Sequence, residues 1–229
     1  MFFEFYKRFQ YYLDNYAFIN YNLSKIVKED DMMTGTEKLE ALINNSKGVI
    51  TSKLAAYHDI HREYLSEFVR QGKLERIAHG IYITPDVWED KMLIYQLRKN
   101  KMVYSHETAL FLHDLTDRDP VAYCVTVPTG YNTSKLKHDG LIVYTIKKEL
   151  LELGICTKKT TFGNDIRTYN MERTICDILR DRNNQDVVVV SDALKRYVRR
   201  SDKDLNRLMK YAGILRIEKV LRNYLEVLL

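Results

Sequence analysis

The spacing of hydrophobic residues changes along the chain, and each spacing predicts a kind of element. Between Thr34 and about Gln71, apolar residues recur every three or four positions, which is the period of an amphipathic helix. Threonines and glycines interrupt this segment where helices would begin and end, so it predicts three short helices. Between Leu74 and Pro85, two short apolar runs flank a glycine, which predicts two short strands joined by a tight turn.

The rest of the chain alternates between the helical and the strand period. Helices that begin after Asp86 and Ser105 are predicted first, followed by strands at 123–127 and 141–146. A hairpin follows, with Gly163-Asn164 at its turn. The remaining pattern predicts four helices, at 171–181, 186–200, 202–211 and 214–228.

Three helices followed by a two-stranded wing, within about 50 residues, are the element order of a winged helix-turn-helix. The sequence therefore predicts an α+β fold, with an N-terminal winged helix-turn-helix followed by a mixed α/β domain that ends in a helical bundle. The predicted domains are residues 34–85 and residues 86–229. Residues 1–33 form an extension rich in Phe and Tyr, interpreted either as a dimerisation or docking arm or as a segment that contributes little.

The composition narrows the class of protein. The chain has 229 residues and a formal net charge of +5, a mild basic bias that is compatible with nucleic acid binding. It lacks a signal-peptide pattern and any apolar run of the roughly 18 residues that a membrane span needs. Its three scattered cysteines fit a reducing cytoplasm better than a disulfide framework or a zinc site. We therefore expect a cytoplasmic protein without a metal ion or another cofactor.

The winged helix-turn-helix carries the candidate DNA-binding residues. A recognition helix needs a polar outward face, and the third predicted helix has one. Hydroxyls at the start of the second helix are placed to donate to a phosphate, and the basic wing residues to contact the backbone or the minor groove. The predicted DNA-binding residues are Thr51, Ser52, His61, Arg62, Ser66, Arg70, Lys73, Arg76 and His79. Residues 34–85 carry seven basic and six acidic side chains, and this near balance leaves a protein-interaction module as the competing interpretation.

Enzyme signatures are missing from the sequence. It contains no P-loop, no glycine-rich dinucleotide motif and no Gly-x-Ser-x-Gly elbow. His106 and His113 do not have a usual zinc spacing, and we expect them to cap a helix or to line the core. The sequence therefore predicts that the protein is not an enzyme.

Two stretches of the chain carry a family resemblance. The first lies between Gly48 and Tyr82 and contains Gly-Val-Ile-Thr, Leu-Ala, Gly-Lys-Leu and Gly-Ile-Tyr in that order. The second lies between Tyr169 and Asp177 and contains Glu-Arg-Thr followed by an isoleucine and an aspartate. Together they resemble the AbiEi-type antitoxins of abortive-infection, type IV toxin–antitoxin systems, over about residues 36–229.

The second stretch resembles the family's antitoxin-domain motif, which opens a helix in the C-terminal domain. Its residues in this chain are Glu172, Arg173, Thr174 and Asp177. The two interpretations of these side chains are a catalytic role and a structural role. The i,i+4 spacing of Arg173 and Asp177 favours a structural ion pair.

The resemblance implies a protein with two tasks. The N-terminal domain would bind inverted repeats of double-stranded promoter DNA and repress its own operon. The C-terminal domain would counteract a nucleotidyltransferase-like toxin without a stable complex between the two proteins. We expect a monomer or a weak dimer that places two copies on DNA. The alternative is a ligand-responsive winged-helix transcription regulator without an antitoxin role.

A second basic segment lies in the predicted C-terminal helices. Residues 195–222 contain ten basic side chains, several at i,i+4 spacing. The interpretations are a contact with DNA phosphates, a contact with RNA or another substrate of the toxin, and a solvated face. The candidate residues are Lys195, Arg196, Arg199, Arg200, Lys203 and Arg207.

Overall fold

The computed structural model describes residues 33–228. The chain divides into two compact units, Met1–Arg98 and Lys99–Leu229. The division follows the helix that ends at Arg98, whereas the sequence placed the domain boundary after Pro85. The predicted extension at 1–33 lies, except for Met33, outside the described residues.

The described part of the first unit begins with the predicted helices and wing. Its elements are α1 (Gly35–Asn45), β1 (Val49–Thr51), α2 (Ser52–Tyr57), α3 (Arg62–Arg70), β2 (Glu75–Ala78), β3 (Ile81–Ile83) and α4 (Lys91–Arg98). The three strands form an antiparallel sheet of order β1-β3-β2. The strand β1 extends the predicted two-stranded wing, because Val49–Thr51 pairs with β3 along its whole length.

Local sequence explains where these helices begin. Thr34 and Glu37 form a capping box: Glu37 N donates to Thr34 Oγ1 at 3.3 Å and Thr34 N to Glu37 Oε2 at 2.7 Å. Thr51 caps α2 as predicted, by accepting from Leu54 N at 3.1 Å. The helix α4 begins later than predicted, because Asp90 and not Asp86 accepts a backbone N–H, that of Leu93.

The turn between α2 and α3 is short and holds Asp59 at a φ of +53°. The first unit closes around an apolar core that all three of its first helices share with the wing. Val69 on α3 has the helical spacing of an inward-facing residue but is exposed. The buried core residues are Leu39, Leu42, Ile50, Ala55, Ile60, Leu65, Phe68, Leu74 and Tyr82.

The second unit combines a mixed sheet with a group of helices. Its described elements are β4 (Val103–Tyr104), α5 (His106–Leu112), β5 (Cys124–Pro128), α6 (Ser134–His138), β6 (Ile142–Ile146), α7 (Lys148–Leu151), β7 (Ile155–Lys159), β8 (Asp165–Tyr169), α8 (Met171–Arg180), α9 (Val187–Arg199), α10 (Leu205–Ile214) and α11 (Glu218–Leu228). The strand order is β6-β5-β4-β8-β7. The β5·β6 and β4·β8 pairs are parallel, and the β4·β5 and β7·β8 pairs are antiparallel.

The helix α8 is the centre of this unit. It packs against α5, α9, α10 and α11, and every one of its residues from Met171 to Leu179 is buried. The predicted hairpin is confirmed, with Lys159 opposite Asp165 across the turn. The helix α10 begins later than predicted, because Asp204 caps it by accepting from Arg207 N at 2.8 Å. The structure confirms the α+β class, and no described helix has both the length and the apolar character to cross a membrane.

Candidate nucleic-acid interface

The helix α3 presents a polar face to solvent at the surface of the first unit. His61, Arg62, Ser66 and Arg70 are all exposed. His61 is the N-cap residue and Arg62 the first helical residue, so both lie at the end of the helix that usually approaches base edges.

The two arginines on this face, Arg62 and Arg70, differ in their ion pairing. Arg70 forms an ion pair with Glu67, and the same carboxylate accepts from Gln71 Nε2 at 2.6 Å. Arg62 has no ion-pair partner among the residues that the structure describes. A paired guanidinium has to leave its carboxylate before it can bind an anion, whereas an unpaired one is available. The geometry therefore favours Arg62 over Arg70 as the residue that contacts DNA.

Lys53 is a candidate that the sequence reasoning missed. It lies in the first turn of α2, is exposed, and has no ion pair within the described part of the chain. The signal was present, because Lys53 follows directly after Thr51 and Ser52, which were selected as phosphate contacts.

The wing positions its three candidate side chains differently. Lys73 Nζ lies 2.7 Å from Glu40 Oε1 and 4.8 Å from the centre of the Phe68 ring, so its charge is already partnered. Arg76 Nη2 lies 3.1 Å from His79 Nδ1, and both side chains are exposed. Arg76 and His79 therefore form one basic projection on the wing.

Thr51 and Ser52 are half-buried and take part in the fold. The Thr51 hydroxyl caps α2, and Ser52 N donates to Gly80 O at 2.8 Å. The Ser52 backbone N–H, which a phosphate at this helix start would otherwise accept from, is thus already bonded within the fold. These contacts connect the start of α2 to the turn of the wing.

The variant Thr51→Asp distinguishes the capping role of Thr51 from a contact with a DNA phosphate. Aspartate keeps an acceptor at the N-cap, so the free energy of unfolding should stay within about 0.5 kcal/mol of the wild-type value. Thr51→Ala should lower it by about 1 kcal/mol. If a phosphate binds at this helix start, the added negative charge should weaken DNA binding several-fold in the aspartate variant alone. Urea unfolding and gel-shift titration measure the two effects, and equal DNA affinity in the wild type and Thr51→Asp would exclude a phosphate contact at Thr51.

The antitoxin-domain motif is buried in the second unit. Arg173 Nε donates to Asp177 Oδ2 at 2.9 Å, which confirms the predicted ion pair. Arg173 Nη1 also donates to the carbonyl groups of Leu150 and Leu153, each at 2.9 Å. The guanidinium lies 4.2 Å from the centre of the Tyr169 ring. Arg173 thus joins α8 to the segment before β7.

The other motif residues also bond to the protein interior. Glu172 Oε1 accepts from Tyr197 OH and from Asp204 N, each at 3.2 Å. Glu172, in the first turn of α8, therefore binds the start of α10. Thr174 Oγ1 donates to Asn170 O at 2.8 Å.

A glycine on the neighbouring segment makes room for this motif. Gly154 has a φ of +78°, and a Cβ placed there would lie 2.7 Å from the Cβ of Arg173. Gly154 O accepts from Asn170 N at 2.7 Å. The backbone at Gly154 therefore runs directly over the first turn of α8.

The six basic candidates of the C-terminal helices do not form one continuous cationic face. Three of them have carboxylate partners: Arg196 pairs with Asp117, Arg200 with Asp202, and Arg207 with Asp204 and Glu172. Of the basic residues at i,i+4 spacing, Arg196 with Arg200 and Lys203 with Arg207 do not share one helix, because α9 ends at Arg199 and α10 begins at Leu205. Lys195 and Arg199 remain as an exposed i,i+4 pair on α9.

Two buried histidines contribute to the core of the second unit. The ring of His106 stacks on Tyr144, with ring centres 3.4 Å apart, and His113 Nε2 lies 2.7 Å from Tyr169 O. Burial lowers the pKa of His106 to about 4 and that of His113 to about 4. Ser105 precedes α5 but does not cap it with its side chain. Its hydroxyl accepts from Thr126 Oγ1 at 2.8 Å.

The described residues contain no cluster of His, Cys, Asp and Glu that could hold a metal ion. Cys124 and Cys176 are buried, Cys156 is half-buried, and all three are free thiols. Burial raises the pKa of Cys124 and Cys156 to about 11 and that of Cys176 to about 12, so these thiols are un-ionised at neutral pH.

Comparisons with known proteins concern the fold of the chain and its winged helix-turn-helix. The chain is similar in fold to the protein in "Crystal structure of RV2827C protein from Mycobacterium tuberculosis", with a TM-score of 0.51 and 12% sequence identity. The similarity covers 79% of this chain and 72% of that chain, and at this identity it concerns the fold alone. Among curated proteins, no significant match is found. Residues 37–85 match the family model described as "Transcriptional regulator, AbiEi antitoxin". This match covers α1 to β3, so the winged helix-turn-helix of this chain is similar to that of the AbiEi-type antitoxins, as the sequence motifs of this region predict.

Proposed function

We propose that this protein is the antitoxin of a type IV toxin–antitoxin system and that it represses its own operon. The first unit binds inverted-repeat promoter DNA, with α3 in the major groove and the wing beside it. The observation that carries this proposal is the exposed start of α3, in a domain that matches a family of transcriptional regulators. Within residues 33–228, Arg62 has no carboxylate partner there. The near balance of charge in this domain favours recognition by few contacts in each of two copies.

Arg62→Ala should weaken binding to the operator by about tenfold or more, because a side chain that contacts a base edge contributes roughly 1–3 kcal/mol. Arg70→Ala should have a smaller effect, because Glu67 already partners Arg70. Gel-shift titration at one salt concentration, on promoter DNA and on unrelated DNA, measures both effects. Arg62→Ala should lower the affinity for promoter DNA more than that for unrelated DNA.

The matched control is Lys91→Ala, which removes an exposed cation of the same unit on α4. It should leave both affinities unchanged. If Arg62→Ala binds the promoter as tightly as Lys91→Ala does, the assignment of α3 as the recognition helix is wrong.

The second unit is proposed to counteract a nucleotidyltransferase-like toxin. Support comes from the antitoxin family of the first unit and from the sequence motif in α8. Because Glu172, Arg173, Thr174 and Asp177 are all buried, the motif maintains the fold of this unit and does not contact a partner. Co-expression of the toxin with full-length Arg62→Ala tests the separation of tasks: growth should be rescued although repression is lost.

The groove at the start of α10 does not favour the ligand-responsive alternative. A groove of about 540 Å³ runs along Ser201–Arg207. Its lining is mostly polar and charged, whereas small-molecule sites are mostly apolar. A regulator without an antitoxin role would fail to rescue growth in the co-expression experiment.

A further inference from the structure

The five strands of the second unit bring distant parts of the sequence to one end of the sheet. The strands β5, β6 and β7 finish at this end, and β4 and β8, which run in the opposite direction, begin there. Neighbouring strands lie about 4.8 Å apart, so this end of the sheet is about 19 Å long. The residues that lead into or out of the strands here, at 99–102, 129–133, 147–148 and 160–164, are called the strand-end surface below.

Lysines on the strand-end surface have no partner of opposite charge. Lys101 precedes β4, and Lys147 and Lys148 follow β6 directly. All three are exposed, and none of them forms an ion pair with any other described residue. Asp165, which also lies at this end, is already paired at 3.2 Å with the lysine opposite it in β7, and Glu149 on α7 is exposed. The three lysines are therefore available to bind an anion.

An aromatic side chain lies at the same end of the sheet. Phe162 is part of the turn between β7 and β8 and is 54% exposed. The turn is closed by backbone bonds, because Thr160 N donates to Asn164 O at 2.8 Å and Gly163 N donates to Thr160 O at 2.9 Å. The hairpin thus keeps the ring in solvent, although burial of an aromatic ring would be favourable.

A second ring lies between Phe162 and the lysines that follow β6. Tyr131 comes after β5 and is half-buried, and its backbone N–H donates to Pro128 O at 3.1 Å. Thr129 N donates to Ile146 O at 2.7 Å, so this segment lies beside the end of β6. Since β5 lies between β6 and the β7–β8 hairpin in the strand order, rings and cations follow one another along the surface.

We propose that the strand-end surface binds single-stranded nucleic acid. Its phosphates contact Lys101, Lys147 and Lys148, and one of its bases stacks on Phe162. Cations combined with exposed rings are the composition of single-strand binding sites, because every base has a face that stacks on an aromatic ring. The bases of a duplex are already stacked and paired, so a duplex would not use Phe162. An acidic protein would use the lysines alone.

This site is separate from the operator-binding face of α3 and the wing, which belong to the first unit. It also differs from the basic helices that the sequence singled out. In those helices Arg196, Arg200 and Arg207 are paired with carboxylates. The lysines of the strand-end surface lie far apart in the sequence, and the strand order alone brings them to one end.

Phe162→Ala should weaken the binding of a short single strand by about tenfold, the usual effect of losing one stacked base. Fluorescence anisotropy measures this on the full chain, with labelled oligo(U) and oligo(dT) of about twelve nucleotides. Trp88→Ala is the matched control, because it removes a ring of the first unit that is 81% exposed. It should leave the affinity unchanged.

The lysines should act through the salt dependence of binding. Each phosphate contact of a single strand contributes about 0.7 to the slope of log K against log salt concentration. Lys147→Gln with Lys148→Gln should therefore lower this slope by about 1.4, whereas Phe162→Ala should leave it unchanged. Lys210→Gln with Lys219→Gln removes two exposed lysines of α10 and α11 and should leave both the slope and the affinity unchanged.

The outcomes separate this site from its alternatives. A wild type that binds neither oligonucleotide at low salt overturns the proposal, and so does Phe162→Ala that binds both like the wild type. Poly-glutamate that competes as well as an oligonucleotide would show a general surface for acidic polymers and would also overturn it. Tighter binding of oligo(U) or of oligo(dT) supports the site and assigns the strand as RNA or as DNA.

The first unit provides a check that is independent of this surface. Arg62→Ala should bind both oligonucleotides like the wild type, and Phe162→Ala should bind duplex promoter DNA like the wild type. A wild type that binds single strands but no promoter DNA supports the strand-end surface and contradicts the proposed function. Equal loss of single-strand binding in Arg62→Ala and Phe162→Ala would contradict a separate site in the second unit.

Discussion

Asp177→Ala should lower the free energy of unfolding of the second unit by about 3–5 kcal/mol, the usual cost of removing one partner from a buried ion pair. The side chain of Arg173 is 0% exposed and that of Asp177 is 4% exposed. Without the carboxylate, the guanidinium keeps only two carbonyl acceptors and carries an uncompensated charge inside the protein. Since Trp88 is the only tryptophan and lies in the first unit, urea unfolding is best followed by circular dichroism.

A surface pair of the same spacing provides the control. Glu218 and Arg222 are also an i,i+4 ion pair, but their side chains are 47% and 60% exposed. Glu218→Ala should cost no more than about 0.5 kcal/mol. Replacing both buried partners with apolar residues, as Arg173→Met with Asp177→Leu, should recover part of the loss of Asp177→Ala. Similar losses for Asp177→Ala and Glu218→Ala would contradict the structural role of the motif.

Acid should destabilise the second unit through its two buried histidines. Burial lowers the pKa of both His106 and His113 to about 4, below the value near 6.5 of an unfolded chain. The unfolded state therefore binds protons first as the pH falls. The stability contributed by the neutral rings is complete above about pH 6.5 and is lost progressively down to about pH 4.

The expected loss at about pH 5 is about 2 kcal/mol for each histidine, relative to neutral pH. His113→Gln keeps a donor for Tyr169 O and removes the titrating ring, so it should reduce the pH dependence by about half. His138→Gln removes an exposed histidine of α6 and should leave the pH dependence unchanged. Urea unfolding at several pH values measures this, and an unaltered pH dependence in His113→Gln would show that the ring of His113 is not the titrating group.

Local signals were sufficient to predict most of the fold. Threonine caps, helical periods and the Gly163-Asn164 turn act over a few residues and therefore appear directly in the sequence. The strand β1 was less visible, because three residues give little periodicity and its pairing with β3 is made over a long sequence distance. The late start of α4 depends on which of two aspartates reaches a backbone N–H, and spacing alone does not decide this.

The sequence predicted which helix carries the candidate interface, but not which of its cations are neutralised by ion pairs. The exposed face of α3 follows from its period. The neutralisation of Lys73 by Glu40 depends on a contact between residues far apart in the sequence. The same limitation applies to Arg196 and Asp117. Counting the charged residues along a helix does not show which of them form ion pairs with residues far away in the sequence.

The close approach of Gly154 to Arg173 has a consequence for how related chains can diverge. Any side chain at position 154 would occupy the space of the Arg173 side chain and force the backbone out of its positive φ. The nearest atom is the Cβ of Arg173, which every residue except glycine carries, so replacing the arginine would not make room for a side chain at position 154. Position 154 should therefore stay glycine wherever this packing on α8 is kept, and a search pattern for this fold would discriminate better if it began at the glycine and not at the glutamate of the motif.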